Sequence, residues 1–391
     1  MLTSLNPWPS LAACRHFLRG LVGLPSDSAE FQSLPPQLIA EWATTFGLGA
    51  LASIRNRERW PALAQQLRGE SFSVAAENAM QFQGLGIVLD KLNSAEITPL
   101  IFKGAILAHS VYPSPKLRPM TDVDLWVEEA DVERAAHLIE QLGYERKLRN
   151  DRPEALQKLA QGEIELFHPT WQRGAIDLHY SPFHGWWFLR ATKMRREDVW
   201  VQRQKATVAG REVWRFSAED TILQLALHLA INEQFAPHAS IRSLVDIALV
   251  AHNETVDWGI IVQRAKRWQI SHVIWTVLTL LQQFIGVAEA DEALEALKPS
   301  RMRGWLIGRL VSAETILAQR NVQFTLKRIP ILLALTDTWS GVQRFIWRAI
   351  WPDAEWRAAR YGQPVSQWGH LRRLLSQRFI KNKNVLPSRQ N

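Results

Sequence analysis

Two short segments near the middle of the chain combine the alternation of a β-strand with acidic residues. They read DVDLWV and AIDLHY, and each places Asp between apolar neighbours. Side chains alternate across a strand, so Asp122 and Asp124 leave the same face. Asp177 occupies the corresponding place in the second segment. Carboxylates that share a face repel one another. If the two strands are neighbours, the fold must supply positive charge to three converging carboxylates.

The surrounding pattern predicts a mixed α/β unit enclosed by helices. The short apolar run LIF ends at Gly104, as a buried strand does before a turn, and EIELFH alternates like another strand. Helical spacing precedes this region and resumes where Ser217 and Asp220 are spaced as at a capped helix start. The predicted class is α+β, with a small mixed sheet of three or four strands, flanking helices and helical regions at both ends. The predicted units are 1–95, 96–216, 217–300 and 301–391.

Composition excludes several classes of protein. Hydrophobic residues make up 47% of the 391 residues and charged residues 21%, as in soluble globular proteins. Cys14 is the single cysteine, so no internal disulfide is possible and a reducing compartment is expected. The N-terminus lacks the pattern of a secretory signal, and the run IPILLAL is too short to span a membrane. We expect a cytoplasmic protein with no transmembrane segment.

Positive charge is concentrated in the last quarter of the chain. Residues 301–391 contain 16 Lys and Arg but four Asp and Glu, whereas the first 300 residues contain 30 and 34. This tail is also rich in tryptophan, which suits an anionic membrane surface or RNA. We predict structural packing for 301–365. For 366–391 we predict contact with a polyanion or the inner face of the membrane.

Divalent metal is the expected counter-charge for the aspartates. Mg²⁺ or Mn²⁺ takes carboxylate oxygens and then recruits phosphate oxygens, and paired ions of this kind support in-line nucleotidyl transfer. Gly104 lies at a strand end before a helix, where backbone N–H groups favour phosphate. Lys103 and Arg118 are predicted to add positive charge to a nucleotide.

Other polar residues have weaker interpretations. A zinc site built from His168, His179 and His184 fits no compact zinc motif and lacks a thiolate. His179 shares a face with Asp177, so it either supports a metal-binding carboxylate or makes a structural hydrogen bond.

Two further expectations concern the helical block after residue 217. His228 and His238 either face the cleft or are ordinary core or surface histidines. Asp246, on an otherwise apolar helix, is expected to pair with Arg242.

The order of these motifs resembles the nucleotidyltransferase superfamily that includes DNA polymerase β, poly(A) polymerases and aminoglycoside nucleotidyltransferases. It is most similar to a branch of uncharacterised bacterial nucleotidyltransferases. The resemblance spans about residues 80–300 and rests on FKGA, Tyr112-Pro113, Arg118-Pro119, TDVDLWV, Gly143-Tyr144 and AIDLHY. The wider superfamily has Gly-Ser or Gly-Gly in its phosphate turn, where this chain has Lys103-Gly104-Ala105.

The resemblance implies roles for individual residues. Asp122 and Asp124 would bind the metals, and Gly104 would lie against the phosphates. Asp177 would help to bind one metal and orient or deprotonate the incoming hydroxyl.

The expected activity is transfer of a nucleoside monophosphate from a triphosphate, such as ATP, to an unidentified hydroxyl or phosphate acceptor. Neutralising Asp124 is expected to abolish transfer and to leave stability unchanged or raised, because a repelling charge is removed. Two alternatives are a nucleotide-binding protein whose catalytic centre has decayed and an accessory protein associated with RNA or membrane.

Overall fold

A computed structural model describes most of the chain. The described residues are 10–25, 34–147, 155–156, 159, 162–170, 174–183, 186–318 and 328–373.

One mixed sheet lies at the centre of the described part. It has seven strands: β1 Leu100–Phe102, β2 Asp122–Trp126, β3 Glu145–Arg146, β4 Glu163–Phe167, β5 Ala175–His179, β6 Gln204–Val208 and β7 Arg211–Arg215. Their order across the sheet is β3-β4-β5-β2-β1-β7-β6.

Strand pairing brings the acidic segments together. β2 runs parallel to β5, and Asp124 is the register partner of Asp177. On its other side β2 runs antiparallel to β1, with Phe102 opposite Asp124. Register partners on adjacent strands leave the same face of a sheet. The apolar residues Val123 and Leu125 leave the opposite face and are buried.

Helices surround the sheet and form the rest of the described structure. Their bounds are α1 Leu11–Val22, α2 Pro36–Thr45, α3 Gly49–Arg55, α4 Pro61–Gln66, α5 Arg68–Ser94, α6 Gly104–Ser110, α7 Val132–Glu140, α8 Trp186–Ala191, α9 Arg196–Trp200, α10 Ala218–Leu227, α11 Pro237–Asn253, α12 Trp258–Trp268, α13 Ser271–Phe284, α14 Asp291–Ala296, α15 Arg301–Leu310, α16 Ala313–Ala318, α17 Arg328–Leu335, α18 Trp339–Ile350 and α19 Ala354–Tyr361. Single 3₁₀ turns cover Glu129–Asp131 and Ala288–Ala290, and a π-helical turn covers His228–Asn232.

A contiguous apolar core joins these elements across the described residues. It extends from Ala13 in α1, through the sheet, to Phe345 in α18. The predicted capped start near residue 217 is confirmed, because Ser217 Oγ accepts a hydrogen bond from Asp220 N at 3.2 Å. This cap satisfies one of the backbone donors exposed at the start of α10.

The α+β class with a mixed sheet and flanking helices is confirmed, but the predicted three or four strands were too few. β6 and β7 are joined by Ala209 and Gly210, which have φ values of 50° and 75°. Both values are positive, as in a two-residue hairpin turn, but Ala-Gly is not a typical sequence for that turn. The hairpin therefore gave no sequence signal.

Two further expectations concern the chain as a whole. The division into four units stays a prediction. Within the described ranges, no helix combines the length and apolar character needed to cross a bilayer.

Candidate active site

A sharp turn between β1 and α6 positions the first site residue. Lys103 has φ 53° and ψ −127°, and it immediately precedes α6. A residue with a side chain seldom adopts positive φ, and doing so costs on the order of 1–3 kcal/mol. The surrounding structure must therefore hold this conformation. The side chain of Lys103 is one contributor, since it is anchored across the cleft to the next strand.

The anchor is Asp124 on β2. Lys103 Nζ donates to Asp124 Oδ1 at 2.6 Å, and His179 Nε2 lies 2.9 Å from the same oxygen. Burial opposes ionisation of Asp124, but the Lys103 ammonium and the hydrogen bond from His179 hold its pKa well below the ordinary range. Burial also lowers the pKa of His179, to about 4. His179 is therefore neutral at pH 7 and carries its hydrogen on Nε2.

Asp177 and Asp122 have the opposite electrostatics. Burial and the negative charges of Glu163, Asp124 and Asp122 raise the pKa of Asp177 to about 9. Burial and the charge of Asp124 likewise raise the pKa of Asp122. One ammonium from Lys103 does not neutralise the cluster, so Asp177 retains a proton at neutral pH.

Arg118 is fixed by a helix on the other side of the cleft. Its Nε donates to Asp246 Oδ1 at 3.1 Å and its Nη2 to Asp246 Oδ2 at 2.8 Å. Tyr112 Oη donates to the same carboxylate at 2.7 Å. The predicted pairing of Asp246 with Arg242 is therefore wrong. Arg118 reaches Asp246 because the loop before β2 folds back against α11.

Asn78, in α5, holds that loop from behind. Its amide Nδ2 donates to Pro115 O at 2.7 Å and to Arg118 O at 2.8 Å, and the residue is 1% exposed. A buried amide bonded to two carbonyls in this way fixes the loop that enters β2. Asn78 therefore positions Arg118 without contacting the carboxylates.

The site residues open onto one cleft of about 340 Å³. The sheet contributes one wall, and the helical side contributes α11 and the π-helical turn of His228 and Asn232. π-helical turns are rare and are frequent at functional sites. Immediately after this turn, Gln234 and Phe235 both have positive φ. The helical wall is therefore built from unusual backbone as well as polar side chains.

The fit of a divalent cation follows from the donor set. Asp122, Asp124, Asp177 and Glu163 are oxygen donors around one cleft, and the raised pKa of Asp177 reports a deficit of positive charge there. A cluster of oxygen ligands that lacks compensating positive charge suits Mg²⁺ or Mn²⁺. Within the described part of the chain, no three His, Cys, Asp or Glu side chains already form a metal-binding group. At Asp124, Lys103 and His179 both contact Oδ1.

The structure brings together most of the residues singled out from the sequence. The cleft is lined by Lys103, Gly104, Arg118, Asp122, Asp124 and Asp177. His179 is fully buried behind Asp124. His228 lines the cleft, whereas His238 is exposed and does not. His168 packs instead against the ring of Tyr144, with centroids 5.2 Å apart. His184 lies outside the described residues.

Sequence reasoning missed three contributors to the site and gave a fourth the wrong role. Glu163 belongs to a strand that was recognised, but its carboxylate was not connected with the aspartates. Asn78 lies on a helix whose apolar spacing hides a single buried polar residue. Arg242 was expected to pair with Asp246, but it lines the cleft without that pairing. Asn232 follows a break from α-helical geometry that has no sequence signature. The available signal was polar character at buried helix positions, which applies to Asn78 and Asp246.

Similarity to curated proteins and to solved structures is slight. No curated protein matches the chain. Among solved structures, a lincomycin-bound lincosamide antibiotic adenylyltransferase, LnuA, matches with 17% identity and a TM-score of 0.24. That match covers 36% of this chain and 83% of the other. Lincomycin is bound to that protein, and the similarity does not extend this ligand to the present chain.

The family comparison is more extensive and agrees with the motifs. Residues 39–286, more than half of the chain, match the family model described as uncharacterised nucleotidyltransferase. The matched range includes Asn78, the Lys103–Gly104 turn, all three aspartates and Asp246. The resemblance recognised in the sequence is confirmed, and the chain belongs to this uncharacterised nucleotidyltransferase family.

Proposed function

We propose that the protein is a metal-dependent nucleotidyltransferase that transfers a nucleoside monophosphate from a triphosphate to a hydroxyl or phosphate acceptor. One observation carries the proposal: the register of β2 and β5 aligns Asp124 with Asp177 beside Gly104 and Lys103 in one cleft. The volume of about 340 Å³ suits a nucleotide-sized ligand.

The close packing around Gly104 supports its proposed position beside the phosphates. A Cβ added there would lie 2.7 Å from Arg118 Nη1 and 3.2 Å from Met120 Cγ. Arg118 cannot easily move aside, because Asp246 holds its other two nitrogens. Glycine therefore lets the Arg118 guanidinium pack directly against the turn, and we propose that Nη1 and the backbone of the turn face the phosphates together.

Asp122, Asp124 and Asp177 are the proposed metal ligands. When bound, Mg²⁺ or Mn²⁺ would supply the positive charge that these carboxylates lack and would polarise the phosphate oxygens.

The chain's own residues account for orientation and proton movement. In the proposed reaction the acceptor oxygen forms a bond to the α-phosphorus while the bond from that phosphorus to the bridging oxygen of the β-phosphate breaks, releasing pyrophosphate. Asp177, once ionised, orients the acceptor hydroxyl and takes its proton. Lys103 and Arg118 place fixed positive charge beside the phosphates. His179 holds Asp124 in orientation through Nε2.

Nucleotide binding tests this proposal directly. We expect isothermal titration to show binding of a nucleoside triphosphate to the wild type only when Mg²⁺ or Mn²⁺ is present. Gly104→Ala should weaken that binding by about tenfold or more, because its Cβ would collide with Arg118 Nη1 and force the buried ion pair of Arg118 with Asp246 to shift. Mass spectrometry of a cell extract incubated with the protein and labelled triphosphates would reveal the acceptor. Nucleotide binding that does not depend on a divalent cation, without transfer to any acceptor, would favour the alternative of a decayed centre.

We also propose that the basic tail contacts an anionic membrane surface, together with α18, which lies in the segment 301–365 for which the sequence predicted structural packing. This contact would place the protein in the cytoplasm and peripherally at the inner face of the membrane. Four apolar side chains on the outer face of α18 are exposed: Trp339 at 70%, Ile346 at 43%, Trp347 at 56% and Ile350 at 54%. Trp368 is 75% exposed. Of the segment 366–391 predicted to make this contact, residues 374–391 lie outside the described residues.

Vesicle flotation tests the tail. We expect the wild type to bind vesicles rich in phosphatidylserine and to ignore phosphatidylcholine vesicles. Trp339→Ser combined with Trp347→Ser should weaken binding by about a hundredfold or more, since burying each large apolar side chain contributes roughly 1.5–3 kcal/mol. Phe72→Ser is the matched control, because Phe72 is 63% exposed on α5. Unchanged vesicle binding together with weakened tRNA binding would support the RNA alternative instead.

A further inference from the structure

The cleft contains more acidic than basic side chains. Among the described residues that line it, seven are acidic and three are basic. The acidic residues are Glu77, Asp122, Asp124, Glu163, Asp177, Glu233 and Asp246, and the basic residues are Lys103, Arg118 and Arg242. A polyanion that enters the cleft therefore needs a basic side chain that is not already paired with one of these carboxylates.

Two of the three cations are already paired. Lys103 Nζ donates to Asp124 at 2.6 Å. Arg118 donates through Nε and Nη2 to Asp246, which leaves Nη1 beside Gly104. Both therefore have reduced capacity to bind a ligand.

Arg242 differs from both. It is partly buried in the cleft wall, and its guanidinium makes no hydrogen bond or ion pair with the described residues. Its side chain is nevertheless held in place. A Cβ added at Gly47 would meet Arg242 Nη1 at 3.2 Å and Pro119 Cγ at 3.5 Å, so the guanidinium packs closely over that glycine. Gly47 has φ +66°, which further disfavours a side chain there.

The position of Arg242 relates it to the phosphate end of the cleft. Arg242 and Asp246 are four residues apart in α11, so they share a helix face. Asp246 in turn holds Arg118 next to Gly104. Arg242 Nη1 and Pro119, the residue that follows Arg118, lie over the same glycine, Gly47. Arg242 therefore lies beside the loop that carries Arg118 into the cleft.

We propose that Arg242 binds the β- and γ-phosphates of the triphosphate and the pyrophosphate that leaves. A planar guanidinium with free donors matches two phosphate oxygens at once. The inference rests on the proposed nucleotidyltransferase function, and it assigns to Arg242 the direct phosphate contact that the sequence suggested for Arg118. Arg118 contributes fixed charge and a single free nitrogen.

Titrations with ligands of different phosphate content test the assignment. We expect Arg242→Gln to weaken binding of a nucleoside triphosphate and of inorganic triphosphate by about 10- to 100-fold in the presence of Mg²⁺. Binding of the nucleoside monophosphate should stay unchanged. Arg242→Lys should recover part of the loss. Arg211→Gln is the matched control, because Arg211 pairs with Asp90 outside the cleft.

The outcomes separate this inference from the proposed function. Unchanged triphosphate binding by Arg242→Gln, or an equal loss for the monophosphate, overturns the assignment even if transfer occurs. Inorganic triphosphate binding that depends on Arg242, in a protein that transfers no nucleotide to any acceptor, supports the anion site and removes the proposed function. Failure of the wild type to bind inorganic triphosphate also overturns the assignment. Thermal unfolding of each variant checks that the fold is retained.

Discussion

Replacing Asp124 with Asn is expected to abolish nucleotidyl transfer and to destabilise the folded protein by about 3–5 kcal/mol. The side chain is 4% exposed and accepts hydrogen bonds from Lys103 and His179. Neutralising it leaves the buried Lys103 ammonium without its partner. The structure therefore reverses the expectation from sequence that stability would be unchanged or raised. Loss of a metal-binding carboxylate would reduce transfer by about a thousandfold or more, since several kcal/mol of charge stabilisation are removed.

Asp177→Asn should also abolish transfer but should affect stability in the opposite direction. The pKa of Asp177 is raised from 3.8 to about 9, so the folded state holds a proton that the unfolded state has released at neutral pH. Stability associated with this group is complete below about pH 4 and is lost as pH rises through 9. Asparagine does not ionise, so the variant does not lose this stability as the pH rises. We expect the variant to be at least as stable as the wild type at pH 7 and more stable at pH 9.

Thermal unfolding of both variants between pH 5 and pH 9, without divalent cations, checks these expectations. The stability advantage of Asp177→Asn over the wild type should grow as pH rises, and Asp124→Asn should be less stable than the wild type at pH 7. Equal effects of the two substitutions would contradict the charge arrangement. Full transfer activity in either variant would show that the reaction does not need that carboxylate.

Asp246→Asn should destabilise the protein by about 3–5 kcal/mol without touching the proposed metal ligands. Asp246 is 1% exposed and receives hydrogen bonds from Arg118 and Tyr112. Without its charge, a buried guanidinium loses its counter-ion. The loop before β2 then loses its attachment to α11. We expect transfer to fall as well, because Arg118 no longer stays beside Gly104.

Chemical denaturation measures this effect, and Asp90→Asn is the control. Asp90 also accepts two hydrogen bonds from an arginine, Arg211, but its side chain is 57% exposed. An exposed pair of this kind contributes little to stability, because water and salt screen its charges. If the two substitutions cost the same, the buried ion pair does not hold the helix to the loop.

Much of the sheet side of the site was predictable because its signals are local. Asp122, Asp124 and Asp177 follow from the alternation of their own strands, and parallel pairing of β2 with β5 places them together. The order of motifs added Gly104 and the family. The sequence therefore predicted a set of acidic side chains on one face of the sheet.

The helical side was not predictable from local pattern. The pairing of Arg118 with Asp246 joins residues 128 positions apart, and no spacing rule connects them. Arg242, four residues before Asp246, was the obvious local partner, and tertiary packing overrode that choice. The strained turn at Lys103 depends on an ion pair with the neighbouring strand. The hydrogen bonds from Asn78 depend on how a long helix lies against a proline-rich loop.

The two hydrogen bonds from Asn78 have a consequence for how the protein can be divided. A fragment that starts at β1 would contain every carboxylate that the sheet contributes to the cleft, but it would lack the amide that fixes Pro115 and Arg118. A fragment that ends before α11 would lack Asp246. A piece with an intact cleft must therefore extend at least from Gly47, which packs against Arg242, to the end of α11. The cleft of this chain is an assembly of the sheet and two distant helices, and the sheet alone does not contain it.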